Sequence, residues 1–301
     1  MLGIYDSGLG GITVLNEISN LIPDINFQYL ADTEILPLGE KTPEFVNERL
    51  QTACTFLFNK GCNLVILACN TASVITIRNL QQNWLPKNFP NKQILSITKP
   101  FTELLADEFE FLKLKKGLLL ATKGTINSDF YQTEFNSLGF TNLNFKEAKN
   151  LAVEIEIYIL EKAKKFQVSD KINPEKAILV ANKKSGKEEK LDFNQKKYQQ
   201  TIQELKKENS KIDYLVLACT HYPIVKKDFE EIFGLKLIYD PSREVAKKLQ
   251  IYLQKHPNYC NQNWRTKNTF WITKNPEDFQ TKVALLSTNL AFSDFCFCQL
   301  S

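Results

Sequence analysis

One short stretch occurs twice in this chain, and the two copies constrain the fold more than any other feature. Leu64-Val65-Ile66-Leu67-Ala68-Cys69-Asn70-Thr71-Ala72-Ser73 is echoed by Tyr214-Leu215-Val216-Leu217-Ala218-Cys219-Thr220-His221-Tyr222-Pro223. In each copy a run of four or five apolar residues enters Ala-Cys and then small hydroxyl or amide residues. A run without polar alternation suits a strand buried on both faces, as in a parallel sheet covered by helices. Its polar break then falls at the strand's carboxyl end, where open α/β sheets place their ligand sites. Two cysteines at equivalent ends of two equivalent strands are therefore expected to face one pocket from opposite sides.

The rest of the chain fits that frame. Leu2 to Tyr5 reads as a first strand, followed by the turn Asp6-Ser7-Gly8-Leu9-Gly10-Gly11 and a helix from Ile12. Glycines there let the backbone turn sharply and approach a ligand. A dinucleotide fingerprint would need a third glycine at position 13, which is Thr. Phe27 to Ala31 reads as a second strand ending at Asp32-Thr33, and Pro37-Leu38-Gly39 as a turn. Thr42 caps a helix with Pro43 at its first position and Gly61 past its end. Further strands are expected at Gln93–Ile97, Gly117–Ala121, Leu235–Tyr239 and Thr269–Thr273, with a helix at Pro276–Leu286. The run at Gly117 also finishes in Ala plus a hydroxyl residue, Thr122, and that recurrence argues for a cleft between two lobes.

The expected fold class is α/β: two doubly wound domains in a pseudo-symmetric arrangement, with the active site in the cleft between them. Residues 1-97 plus 213-301 are expected to form the first domain and 98-212 the second, the chain crossing near Lys99-Pro100. A lysine-rich insertion at about 162-211 reads as a solvated segment, since 183-190 carries almost no core, and it is expected to lie away from the cleft.

The chain's 301 residues, 43% hydrophobic and 24% charged, are enough for proper cores. A net charge of +4, with both signs mixed along most of the length, gives no basis for nucleic-acid binding. Seven cysteines, an odd number without framework spacing, point to reduced thiols and a cytoplasmic protein. Met1 leads almost directly into a strand, so no leader is expected, and no apolar run approaches the roughly 18 residues that span a membrane. Cys54 and Cys62 read as packing residues, and Cys296 and Cys298 as incidental. His256 and Cys260 have a metal-like spacing that nothing completes, so no metal is expected.

The two strand-end cysteines admit three chemistries. If residues 219 to 221 are extended, Cys219 and His221 point to the same side, and His221 can orient or deprotonate the thiol. A free thiol titrates at about 8.5 and needs such help at neutral pH. Asp6 can serve Cys69 in the same way. A Cys/His nucleophile pair would suit a hydrolase or transferase but leaves the second Cys unexplained. A Cys/Cys/His metal site needs both thiols within about 2.3 Å of one ion. A two-base racemase explains the duplication directly, one thiolate removing a proton from a tetrahedral carbon and the opposite thiol returning one to the other face.

Together these pieces resemble the glutamate racemases of the cofactor-independent aspartate/glutamate racemase superfamily. The matching residues are Tyr5 to Gly11, Asp32-Thr33, Pro37-Leu38-Gly39, Ala68 to Ser73, Ala121-Thr122 with Thr125 and Ser128, and Ala218 to Pro223. The resemblance implies interconversion of L- and D-glutamate without a cofactor, supplying D-glutamate for peptidoglycan, in a homodimer. It places Cys69 and Cys219 as the catalytic bases, Cys69 acting on the D-isomer and Cys219 on the L-isomer, assisted by Asp6 and His221. Asp6, Ser7, Leu38, Gly39, Asn70, Thr71, Thr220 and His221 would hold the substrate, and Asp32 and Glu156 are candidate assisting acids. A sister racemase acting on aspartate, or a non-catalytic amino-acid-binding relative, is the alternative. The chain departs from the family pattern at Leu38, where Tyr is usual, at Glu34-Ile35, at Ala218 and around Leu151.

Overall fold

Strand residues whose neighbours on both faces are apolar set up two parallel sheets. In the computed structural model, which describes residues 1–169, 193–259, 268–287, 290 and 293–300, strands in the first half are separated by one or two helices. It runs β1 (Leu2–Asp6), α1 (Ile12–Leu21), β2 (Phe27–Ala31), α2 (Pro43–Asn59), β3 (Leu64–Leu67), α3 (Asn70–Asn79), α4 (Leu85–Asn88) and β4 (Gln93–Ser96). The chain then crosses into α5 (Thr98–Glu108), β5 (Gly117–Ala121), α6 (Lys123–Asn127), α7 (Phe130–Ser137), β6 (Leu143–Glu147) and α8 (Leu151–Ser169). After α9 (Phe193–Glu208) come β7 (Tyr214–Leu217), α10 (Lys226–Phe233), β8 (Ile238–Tyr239) and α11 (Ser242–Lys255). Finally β9 (Thr269–Ile272), α12 (Pro276–Leu286) and β10 (Asp294–Phe297) return to the first lobe.

The first sheet has the order β10-β9-β2-β1-β3-β4 and the second β6-β5-β7-β8, with parallel pairing throughout. Within the first sheet, β2-β1-β3-β4 repeats the order of the second, so the Cys69 and Cys219 strands hold equivalent places. Alternate side chains feed different cores: Leu118 and Leu120 join a cluster shared with Ile4 and Ile66, while Leu119 and Ala121 pack with Phe101 and Phe135. This two-sided burial is why the runs carry no polar alternation. Thr42 caps α2 by accepting from the Phe45 N–H, and Gly61 ends that helix region with a φ of 90°, where a side chain would be strained.

Three expectations are corrected. The boundary at 213 is displaced: β7 and β8 hydrogen-bond with β5 and β6, so 214–239 belong to the second sheet and only the segment from β9 onward rejoins the first. The strand expected over Leu235–Tyr239 is confined to Ile238–Tyr239. The insertion at 162-211 is largely not a solvated loop where it is described. Phe193–Glu208 is helical and buries Tyr198, Ile202 and Leu205, a stripe at helical spacing hidden among lysines. It packs on α8, with the Tyr158 and Tyr198 rings 5.0 Å apart. Residues 183-190 and Cys260 lie outside the described residues. Cys54 and Cys62 are fully buried packing residues, as read from the sequence.

Candidate active site

The carboxyl ends of the two sheets face each other across a cavity of about 170 Å³. Both cysteines reach it. Cys69 leaves β3 and stands at the N-cap position of α3, while Cys219 follows β7; each is 6% exposed. Ser7 from the end of β1, Leu38 and Gly39 from the turn after β2, Asn70 and Thr71 from the first turn of α3, and Thr220 and His221 beside Cys219 also line it. Glu156 enters from α8. Leu36, Pro37, Ala152, Val153 and Ile157 make one side apolar.

Two expected residues stand outside the lining. Asp6 is fully buried just behind it, accepting from the Gly8 N–H at 2.8 Å and from the Thr220 hydroxyl at 3.2 Å. Asp32 is not an assisting acid in this geometry. Its carboxylate is held by Arg49 through two hydrogen bonds of 2.8 and 2.7 Å and by the Thr273 hydroxyl at 3.1 Å, which makes it part of the fold's internal wiring. The extended geometry expected for 219–221 also fails. His221 is helical in conformation (φ −75°, ψ −31°), and a turn rather than strand alternation brings its Nδ1 to 4.0 Å from Cys219 Sγ.

The two thiols have different surroundings. Ser7 Oγ lies 3.5 Å from Cys69 Sγ. Burial, reinforced by the nearby Asp6 charge, pushes the Cys69 thiol up to about 12, against the Ala72 N–H and the Ser7 hydroxyl, which favour the thiolate. Burial also raises Asp6 to about 6, against the pull of His221 and its own hydrogen bonds. On the other side, His221 Nε2 is 2.7 Å from Glu156 Oε2, and Lys282 Nζ donates to Glu156 Oε1 at 2.7 Å. Burial acts against the ionised Glu156, but the hydrogen bonds and charges of His221 and Lys282 overcome it and hold the carboxyl at about 2. Burial likewise opposes the imidazolium, and the contacts with Cys219 and Glu156 outweigh it, raising His221 well above its ordinary value.

Sequence reasoning had Thr71 in the site and Thr122 and Thr125 among the matching motifs, but it missed their contact across the lobes and the parts played by Tyr131 and Lys282. Thr71, Thr122 and Thr125 form a triangle of hydroxyls 2.7 to 3.2 Å apart that joins the lobes. The third strand-end hydroxyl was the available signal for Thr122. Tyr131, buried, donates to Asn70 Oδ1, leaving the buried Asn70 Nδ2 without a partner among the described residues. Lys282 sits on α12 between Phe279 and Val283, at a position whose spacing marks the core face. Gly10 permits the lobes to meet: a Cβ there would lie 2.3 Å from Thr220 Oγ1. Among the described residues, no group of three His, Cys, Asp or Glu side chains is arranged to hold a metal ion.

A glutamate racemase of Ruegeria pomeroyi is 31% identical over 265 residues, covering 85% of this chain and 86% of that protein. One from Roseobacter denitrificans is 30% identical over 264 residues, covering 85% and 86% respectively. The chain belongs to the glutamate racemase family. No family model matches it. The crystal structure of glutamate racemase from Francisella tularensis, in complex with D-glutamate, superposes with a TM-score of 0.71 at 21% identity. That likeness covers 100% of this chain and 96% of the other and shows the shared two-domain α/β fold.

Proposed function

We propose that this protein interconverts L- and D-glutamate by a two-base mechanism with Cys69 and Cys219 as the bases. One observation carries the reading: two thiols from equivalent strand ends of two sheets line a single small cavity, each with its own supporting polar group. One thiolate takes the α-proton, the C–H electron pair stays on the carbon, and the opposite thiol gives its proton to the other face. The substrate leaves inverted, with the thiol and thiolate roles exchanged. Following the family pattern, Cys69 serves the D-isomer and Cys219 the L-isomer.

Substrate charge completes the electrostatics. The unpartnered Asn70 amide, the Thr71 and Ser7 hydroxyls and the N-terminus of α3 are donors suited to carboxylates. An incoming ammonium offsets the Asp6 charge that disfavours the Cys69 thiolate. Apolar Leu36, Leu38, Val153 and Ile157 keep water away, so that fixed donors act on the carbanion at low dielectric. The Leu38 side chain supplies no hydroxyl here, but residues 38 and 39 keep their place on the wall.

The reading extends to a cytoplasmic homodimer whose D-glutamate is destined for peptidoglycan. Among the described residues no helix is long and apolar enough to cross a membrane. The deciding experiment incubates pure protein with L-glutamate in deuterated water without added cofactor, following the α-proton and the optical rotation. Exchange with racemisation is expected. Exchange with aspartate but not glutamate would transfer the reading to the sister activity, and no exchange with either would end it.

A further inference from the structure

Lys282 is a buried cation for which the two-base scheme has no use. It projects from α12, which links β9 to β10 in the first sheet, while its partner Glu156 sits on α8 beside the second sheet. The ammonium is 2.7 Å from Glu156 Oε1, and its side chain is 9% exposed. The other oxygen of the same carboxylate is 2.7 Å from His221 Nε2, and the far ring nitrogen faces Cys219 Sγ at 4.0 Å. Four side chains from two lobes thus form one chain of contacts ending at a thiol. Among the described residues Cys69 has no counterpart to this chain; its near neighbours are Ser7 and the buried Asp6.

We propose that Lys282 is a positioning residue for the Cys219 half of the site, fixing Glu156 across the lobe boundary so that Glu156 in turn aims His221 at the thiol. The physical reason is the fork of the carboxylate. With one oxygen held by a buried ammonium, rotation about the last side-chain bond is blocked and the second oxygen can face only the imidazole. Without Lys282 the carboxylate keeps one partner, turns freely toward the open side of the cavity, and His221 loses its fixed orientation. Because the anchor comes from the first lobe, the aim of His221 also depends on the lobes being docked.

This inference rests on the two-base reading, and its test separates the two. Lys282→Met and the shorter, polar Lys282→Gln are made so that a folded variant is in hand, with melting temperature as the check. In the folded variant, kcat/KM for glutamate is expected to fall about 10-fold to 100-fold, the loss of one charge-assisted hydrogen bond in a buried network. Iodoacetamide at pH 7, read by mass spectrometry of each cysteine, is expected to alkylate Cys219 several-fold more slowly than in the wild type while Cys69 keeps its rate. Adding the Lys substitution to Glu156→Gln should change little further, since the effect passes through that carboxylate. Wild-type kcat/KM, equal slowing at both cysteines, or simple additivity with Glu156→Gln would each overturn the role. An inactive wild type would end the racemase reading instead, leaving the alkylation comparison, which needs no substrate, to judge Lys282.

Discussion

The two halves of the site share a strand frame and differ in what stands behind the thiol. Behind Cys69 are a hydroxyl and a buried carboxyl raised to about 6. Behind Cys219 is a charged relay of His221, Glu156 and Lys282. The backbone repeat therefore delivers the reactive atom, and residues in which the two copies differ, such as His221, or which lie outside them decide how each copy is tuned. Position is inherited from strand pairing, whereas reactivity is assembled from His221, α8, α12 and the β1 turn.

The harshest way to break the comparison is to remove one thiol at a time. Cys69→Ser and Cys219→Ser should each lower racemisation by about 10²- to 10⁴-fold, the range of a positioned acid or base. Cys69→Ser should still exchange the α-proton of L-glutamate with retention, and Cys219→Ser that of D-glutamate. Proton NMR in deuterated water distinguishes them, and exchange of both isomers by either variant would rule out opposite-face bases.

Next in size is a control on what belongs to the fold. Arg49→Met leaves the Asp32 carboxylate buried without its main partner and should cost about 3 kcal/mol in denaturant unfolding. Folded Arg49→Met protein should keep kcat/KM; a selective loss of activity would return Asp32 to the site.

The carboxyls behind the two thiols should respond to pH with opposite signs. Asp6 is raised to about 6 from 3.8, so the native state holds its proton longer than the unfolded chain does. Stability then falls as pH rises from about 4 to above about 6, by on the order of 3 kcal/mol. Asp6→Asn should escape that fall, its advantage over wild type widening toward pH 7. Glu156 is lowered from 4.5 to about 2, so it contributes stability above about 4.5 that is lost as pH falls toward 2. The gap between wild type and Glu156→Gln should therefore narrow in acid. Parallel pH trends in the two variants would erase the electrostatic contrast. The mildest expectation concerns the hydroxyl triangle between the lobes. Thr122→Val removes two of the triangle's three contacts and should raise KM by about 5-fold, about 1 kcal/mol net, with kcat little changed.

Much of this was legible in the residues for a physical reason. β1, β2, β3, β5 and β7 are buried along their whole length, and such strands cannot hide. β6 and β10 lie at sheet edges, where partly exposed Lys146 and exposed Asp294 break the pattern, and they went unseen. The lobe boundary was misplaced because an apolar run reports burial but not which sheet it pairs with. Reading the repeat as a repeat of strand order would have put β7 beside β5. Both thiols, Ser7, Asn70, Thr71 and His221 came from short motifs at strand ends, while Lys282 depends on a helix packing from the far end of the chain. A lysine between Phe279 and Val283 was the visible hint, since an ammonium on a core face requires a buried partner.

The repeated strand order β2-β1-β3-β4 and β6-β5-β7-β8 has a stereochemical consequence. Enantiomers are related by reflection, and a chain of L-residues cannot build the mirror image of any part of itself. It can rotate a copy. Placing the same strand end twice, face to face, presents like groups to opposite sides of one carbon and so imitates a mirror plane where it matters. The imitation stops at the thiols, and it follows that the two proton transfers of each turnover, one on either face of the carbon, pass through unlike surroundings.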